Sequence, residues 1–245
     1  PEMQRMTTLE LFLETCRFGS PARSHRWEVC GAWHSTLDRW HREGMPPDGD
    51  FHGFFGMETQ VSFLTFQNET GLRTGFTNSP YMPPFPTEVL SEDETTRTVR
   101  NGDGVVQREL KTRADTSMPQ FLSFPVRNRA DWERVRDEHL QLQPELRFPA
   151  DWTPLEQRFR NRDFPLGMSL CGAFGHPRNL FGDDHLLVRY YDGPALLHEI
   201  QEHWVWLYKQ LIDMLDHTAP PDLSLDAIKF LIERVRYWGE KVYGA

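Results

Sequence analysis

The stretch Pro165-Leu166-Gly167-Met168-Ser169-Leu170-Cys171, closed by Gly172, decides how the rest of the chain is read. It is a short apolar run between a proline and a glycine, with little polar alternation. Such a run suits a strand covered on both faces, the habit of parallel sheets. Downstream, Asn179 to Tyr191 holds one or two short helices stopped at Gly193-Pro194. Ala195 to Leu215 then carries Leu196, Leu197, Ile200, Trp204, Leu207, Leu211 and Leu215 at helical spacing. Pro220-Pro221 ends that helix, and Asp222 or Ser224 caps a last one over Leu225 to Trp238.

Upstream, Thr7 or Thr8 caps a helix to Phe18 that Gly19 closes. Ser24 to Val29 reads as a first strand, Ser35 to Arg42 as a second amphipathic helix, and Phe51 to Met57 as a short helix or turn. Val61 to Phe66 is a compact strand, and Phe121 to Val126 a return to the core. Asp131 caps a helix through Leu140, and Pro154 sits early in another to about Asn161. Strands alternate with helices, which argues for a parallel sheet or a (β/α) barrel.

One piece interrupts this alternation. Thr87–Leu90, Thr95–Arg100 and Val105–Lys111 flank Asn101-Gly102-Asp103-Gly104, whose residues supply the positive φ values a tight hairpin needs. It reads as an antiparallel insertion over about 87–111. Removing it leaves room for about six strand–helix units, since each takes roughly 30 residues.

Composition narrows the class. The chain has 245 residues and an ordinary share of apolar side chains, 38%, so it can bury a real core. Its net charge of −9 and its lack of a Lys/Arg block argue against nucleic acid or an anionic membrane as partner. Arg158, Arg160 and Arg162 alternate with polar residues as on a solvated helix face. The three cysteines, Cys16, Cys30 and Cys171, are widely spaced and form neither a disulfide framework nor a metal knuckle. That usage fits a reducing, cytoplasmic compartment. No apolar run reaches membrane-span length, and PEMQRMTTLELF has no signal-peptide core.

Several stretches, in order, resemble one family. Pro21-Ala22-Arg23-Ser24-His25-Arg26-Trp27-Glu28 is similar to the strand opening of uroporphyrinogen decarboxylase-like proteins. Gly31 to Pro46, Met118 to Val126, Gly172 to Gly182 and Tyr190-Tyr191-Asp192 resemble that superfamily's uncharacterised, cobalamin methyltransferase-like branch. Asp216-His217-Thr218-Ala219-Pro220-Pro221 resembles the end of its last barrel strand. The resemblance implies a (β/α)8 TIM-type barrel in a single domain over 1–245. It also implies an internal gap near 215–216, because the family places several strand–helix units there.

The resemblance directs attention to strand ends. Glu28 and His217 are the candidate catalytic groups, Glu28 as an acid/base and His217 as a carboxylate ligand or proton carrier. Glu28 could equally pair with a nearby Arg, and His217 could bond only to backbone. Trp27, His176, Arg178 and Asn179 are candidate substrate-binding residues, Arg178 offering a planar fork for a carboxylate or capping helix carbonyls instead. His185 and His198 read as structural. The family implies an enzyme acting on a small carboxylated or methylated substrate, with methyl transfer through a corrinoid partner protein. Tetrapyrrole decarboxylation is the alternative, though the family's arginine-rich segment and pyrrole-binding aspartate are missing. A non-catalytic binding or remnant protein is the other. A carbohydrate-active barrel lacks a convincing carboxylate pair. No His-x-Cys occurs, so the cysteines present do not support a zinc site.

Overall fold

The computed structural model describes residues 6–26, 28, 32–47, 51–58, 61–62, 80–112, 118–148, 151, 153–167 and 171–216. Helix α1, Thr8–Cys16, starts with a reciprocal cap. Glu10 N–H donates to Thr7 Oγ1 at 3.2 Å, and Thr7 N–H donates to Glu10 Oε2 at 2.8 Å. These bonds satisfy donors that a helix start leaves open. Leu11 is buried, and Leu9 N–H donates to the Asp163 carbonyl, tying α1 to the segment before the apolar run. Helices α2, His34–Arg42, and α3, Phe51–Phe54, follow. Their rings meet where Trp40 packs on Phe51, and Trp40 also packs on Phe55 just past α3.

Strand β1 is Val61–Ser62. Strands β2 (Glu88–Glu92), β3 (Thr96–Arg100), β4 (Val106–Leu110) and β5 (Gln120–Ser123) form one antiparallel sheet in chain order. Its turns are locally determined. Asp93 Oδ1 accepts from Thr95 and Thr96 N–H at 2.8 and 2.7 Å. Asn101 Oδ1 accepts from Asp103 and Val105 N–H, each at 3.0 Å. Gly104 takes φ of 77°, which a side chain would strain. Arg97–Glu109, Arg100–Glu88 and Lys111–Glu92 pair across the strands.

Helix α4 runs Arg129–His139, α5 Pro144–Arg147 and α6 Thr153–Arg160. Asn128, rather than Asp131, caps α4, accepting from Asp131 N–H at 3.0 Å. Strand β6, Leu166–Gly167, pairs in parallel with β1. Helices α7 (Gly175–Phe181), α8 (Asp183–Asp192) and α9 (Pro194–Asp216) complete the described chain.

The expected incomplete (β/α)8 TIM barrel is corrected by this topology. Such a barrel needs eight mostly parallel strands. Among the described residues, parallel pairing is confined to β1–β6 and one isolated bridge, Met82–Leu140. The hairpin over 87–111 is no insertion in a barrel. It supplies three strands of a four-stranded open antiparallel sheet, and β5 finishes that sheet by pairing with β4. The stretch 121–126 does reach the core at Val126, but its strand belongs to the antiparallel sheet. The described part of Ser24 to Val29 is not a strand either. Arg26 is held instead by Glu58, whose Oε2 accepts from Arg26 N–H at 2.6 Å and whose N–H donates to the Arg26 carbonyl. The last helix proposed over 225–238 lies outside the described residues.

The core forms around α9. Leu197, Ile200, Trp204, Leu207, Tyr208 and Leu211 recur at helical spacing and are buried. They pack with Trp132 and Val135 of α4, Phe159 of α6 and Leu180 and Phe181 of α7. Each fully buried large side chain contributes about 1.5–3 kcal/mol. Helix α9 is continuous across 215–216, where the resemblance placed a gap; side chains beyond Met214 lie outside the described residues.

Candidate interior site behind strand β6

The apolar run that opens β6 delivers Cys171 to the inside of the molecule. Cys171 is buried and unpaired to another cysteine, and burial pushes its thiol up to about 11. The Arg178 charge pulls the other way, and Asp103 adds to the rise. Cys171 is therefore a neutral thiol at neutral pH. Three bonds fix the loop behind it. Trp204 Nε1 donates to the Cys171 carbonyl at 2.7 Å. Gln201 Nε2 donates to the Ala173 carbonyl. Asn179 Nδ2 donates to Cys171 Sγ at 3.6 Å. Gln201, Trp204 and Tyr208 stand at i, i+3 and i+7 on α9, so one stripe of that helix faces this loop.

Next to Cys171 lies a group of buried donors. Arg147, at the end of α5, is 0% exposed. Its Nε donates to the Leu142 carbonyl at 2.7 Å, and its Nη2 to the Pro80 and Gln141 carbonyls at 3.0 and 2.9 Å. Its Nη1 has no partner. Burial lowers its pKa to about 10, so it still carries its charge at neutral pH. No carboxylate pairs with it among the described residues.

Two tyrosines complete the group. Tyr81 and Tyr208 are buried; the Tyr81 hydroxyl has no hydrogen-bond partner, and the Tyr208 hydroxyl has none but the nearby backbone of Cys171. Burial pushes both hydroxyls above the ordinary phenol value, with Cys171 adding to each. Tyr81 also feels Asp103 and Tyr208, while the Cys171 backbone and Arg147 pull Tyr208 slightly back. These mutual influences place Tyr81, Arg147, Cys171 and Tyr208 in one neighbourhood. All four can donate, and Arg147 brings a positive charge, while the Asp103 carboxylate acts on Tyr81 and Cys171 from nearby.

Of the residues singled out from sequence, His176, Arg178 and Asn179 are brought together on α7, behind Cys171. His176 is 2% exposed, its Nδ1 has no partner, and burial with the His203 ring nearby lowers its pKa to about 3. Arg178 is exposed and reaches Cys171 through its charge alone; Asn179 bonds the thiol. Glu28 is exposed in the coil after α1. Trp27 and His217 lie outside the described residues. Sequence reasoning missed Arg147, Tyr81 and Tyr208. The sequence holds no distinguishing signal for Arg147: it lies between Leu146 and Phe148, but Arg17 and Arg189 are also flanked by apolar or aromatic residues.

A separate cavity of about 560 Å³ opens between β5 and the α7–α8 junction, lined by Phe121, Phe124, Phe181, Arg127, Asp183 and Asp184 among others. None of the candidate catalytic or substrate-binding residues lines it, whereas His185, read from sequence as structural, does. No group of His, Cys, Asp and Glu that could hold a metal ion occurs among the described residues. No helix among them is long and apolar enough to cross a membrane.

No protein-family model matches this chain, and neither a curated protein nor a solved structure is significantly similar to it. The arrangement of side chains must therefore carry the functional reading by itself.

Proposed function

We propose that the protein recognises a small carboxylated molecule through Arg147, Tyr81 and Tyr208, and acts on it as an enzyme. The observation that carries this reading is the buried Arg147 guanidinium with an open Nη1, bonded only to backbone carbonyls among the described residues. A buried charge without a counter-charge is costly. A carboxylate offset by Arg147 and accepting from two tyrosine hydroxyls would satisfy three orphan donors at once. The substrate class is the one implied by the resemblance to uroporphyrinogen decarboxylase-like proteins, now attached to residues that the resemblance did not name.

The site also constrains the chemistry. The tyrosines are held protonated and can donate to a developing negative charge on the ligand. Cys171 is held as a thiol, a poor nucleophile, so methyl acceptance by this cysteine finds no support. Corrinoid-linked methyl transfer consequently draws only on the resemblance, whereas recognition of a carboxylate draws on the side chains as well.

Isothermal titration of the purified protein with short monocarboxylates and with their amides of the same shape tests the reading. Binding of the acids and not of the amides is expected. Equal binding of both, or of neither, would contradict it.

A further inference from the structure

Two more buried polar atoms lack partners close to this site. Gln201 Oε1 is buried and unpaired. Its orientation is settled, because Gln201 Nε2 donates to the Ala173 carbonyl and a flipped amide would place two oxygens together. His176 Nδ1 is the second, on a ring that burial keeps neutral, so that one of its nitrogens carries a proton and the other a lone pair. Both sit where α7 meets α9. The donors Tyr81, Arg147 and Tyr208 lie toward the other end of the same α9 stripe. From Gln201 to Tyr208 the helix advances about 10 Å. Trp204 stands between, its ring 5.3 Å from that of Tyr208 and its N–H committed to Cys171, so it offers a flat apolar wall.

We infer that the ligand is a hydroxylated carboxylate, its carboxylate at Arg147 and its hydroxyl donating to Gln201 Oε1 while accepting from His176 in the tautomer that carries the proton on Nδ1. This inference rests on the carboxylate reading above and adds the second functional group. A hydroxyl fits better than an ammonium. The groups at this pole are a neutral amide and a neutral imidazole, and neither would balance a second buried positive charge. The two poles also explain why one interior contains donors and acceptors that fail to meet each other. A ligand long enough to span them satisfies both sets.

The test is competitive binding to the intact chain, using butanoate, hexanoate and octanoate and the ω-hydroxy form of each. One hydroxy acid in the series, of a length matching the two poles, should bind about tenfold more tightly than its parent acid, the value of one good hydrogen bond. In Gln201→Met and in His176→Phe that ratio should fall toward one. If parent and hydroxy acids bind the wild-type protein equally, the inference is wrong and the carboxylate reading stands. If no acid binds, the carboxylate reading itself fails. If the preference exists but survives both substitutions, the hydroxyl is held elsewhere and the assignment is overturned. The wild-type series alone can overturn the inference should either variant fail to fold.

Discussion

Trp204 Nε1 donates to the Cys171 carbonyl at 2.7 Å, across 33 residues of sequence. This bond joins the end of the apolar run at β6 to the middle of α9, and the interior site forms around it. Trp204→Phe removes the donor while keeping an aromatic wall. A buried carbonyl left without a partner costs about 1–3 kcal/mol. Urea unfolding should show a loss of that size, and an unchanged midpoint would mean that the loop is held by other contacts.

The tyrosine hydroxyls invert the usual expectation for a core substitution. Tyr81 buries a hydroxyl without a partner, and the Tyr208 hydroxyl meets only the backbone of Cys171, with its own proton unused. Replacing either by Phe removes an unsatisfied polar group and leaves the ring in place. Tyr81→Phe and Tyr208→Phe should therefore unfold at the same urea concentration as the wild type or higher, by up to about 1 kcal/mol. A destabilisation of several kcal/mol in the unliganded protein would show that the hydroxyls already have partners.

His176 gives the stability a pH dependence. Its folded pKa of about 3 lies below the ordinary 6.5, so the native state excludes the charged form. The contribution is fully present above pH 6.5 and is lost as pH falls toward 3. One proton taken up on unfolding amounts to about 2 kcal/mol between pH 6.5 and 5. His203 and His25, also lowered chiefly by burial, act in the same direction. In His176→Gln the slope of stability against pH over this window should be smaller by about one proton. Equal slopes in variant and wild type would contradict the burial of a neutral ring.

How much of this was legible in the sequence depends on how local the cause is. The hairpin around Asn101-Gly102-Asp103-Gly104 was readable because its turn is built from its own side chains and positive-φ glycines. Helix α9 was readable because its apolar spacing is its packing surface. The barrel was misread because no local signal says which strands become neighbours. The stretch at 120–123 resembles a core strand, yet its partner is β4 of the hairpin. The site divides in the same way. His176, Arg178 and Asn179 follow directly on the β6 run and could be found by walking along the chain. Arg147 and Tyr81 meet Cys171 only through tertiary packing, with Arg147 reaching the Pro80 carbonyl 67 residues away.

Gly182 is the backbone joint between α7 and α8. It takes φ of 76° with ψ of 163°, a region that essentially only glycine occupies. A side chain there would also enter the space of the Phe124 ring. Gly182→Ala should cost at least about 2 kcal/mol from strain and overpacking together. Thermal unfolding would measure this, and a neutral outcome would mean that the α7–α8 joint is not tightly packed.

Cysteine chemistry separates surface from interior. Cys16 is exposed and Cys171 buried, with its thiol pushed up to about 11. Iodoacetamide near pH 8 should label Cys16 in the native protein and reach Cys171 only after unfolding, as peptide mapping would resolve. Rapid native labelling of Cys171 would show that the interior opens readily.

The most direct measurement follows the unfolding temperature as a monocarboxylate such as hexanoate is added to the wild type and to the double variant Tyr81→Phe/Tyr208→Phe. A ligand held at about a hundred times its Kd stabilises its protein by about 2.7 kcal/mol. The account predicts that the wild-type transition climbs with acid concentration while that of the folded double variant stays nearly flat. Parallel rises in both proteins, or none in the wild type, would contradict a carboxylate seated among Arg147, Tyr81 and Tyr208.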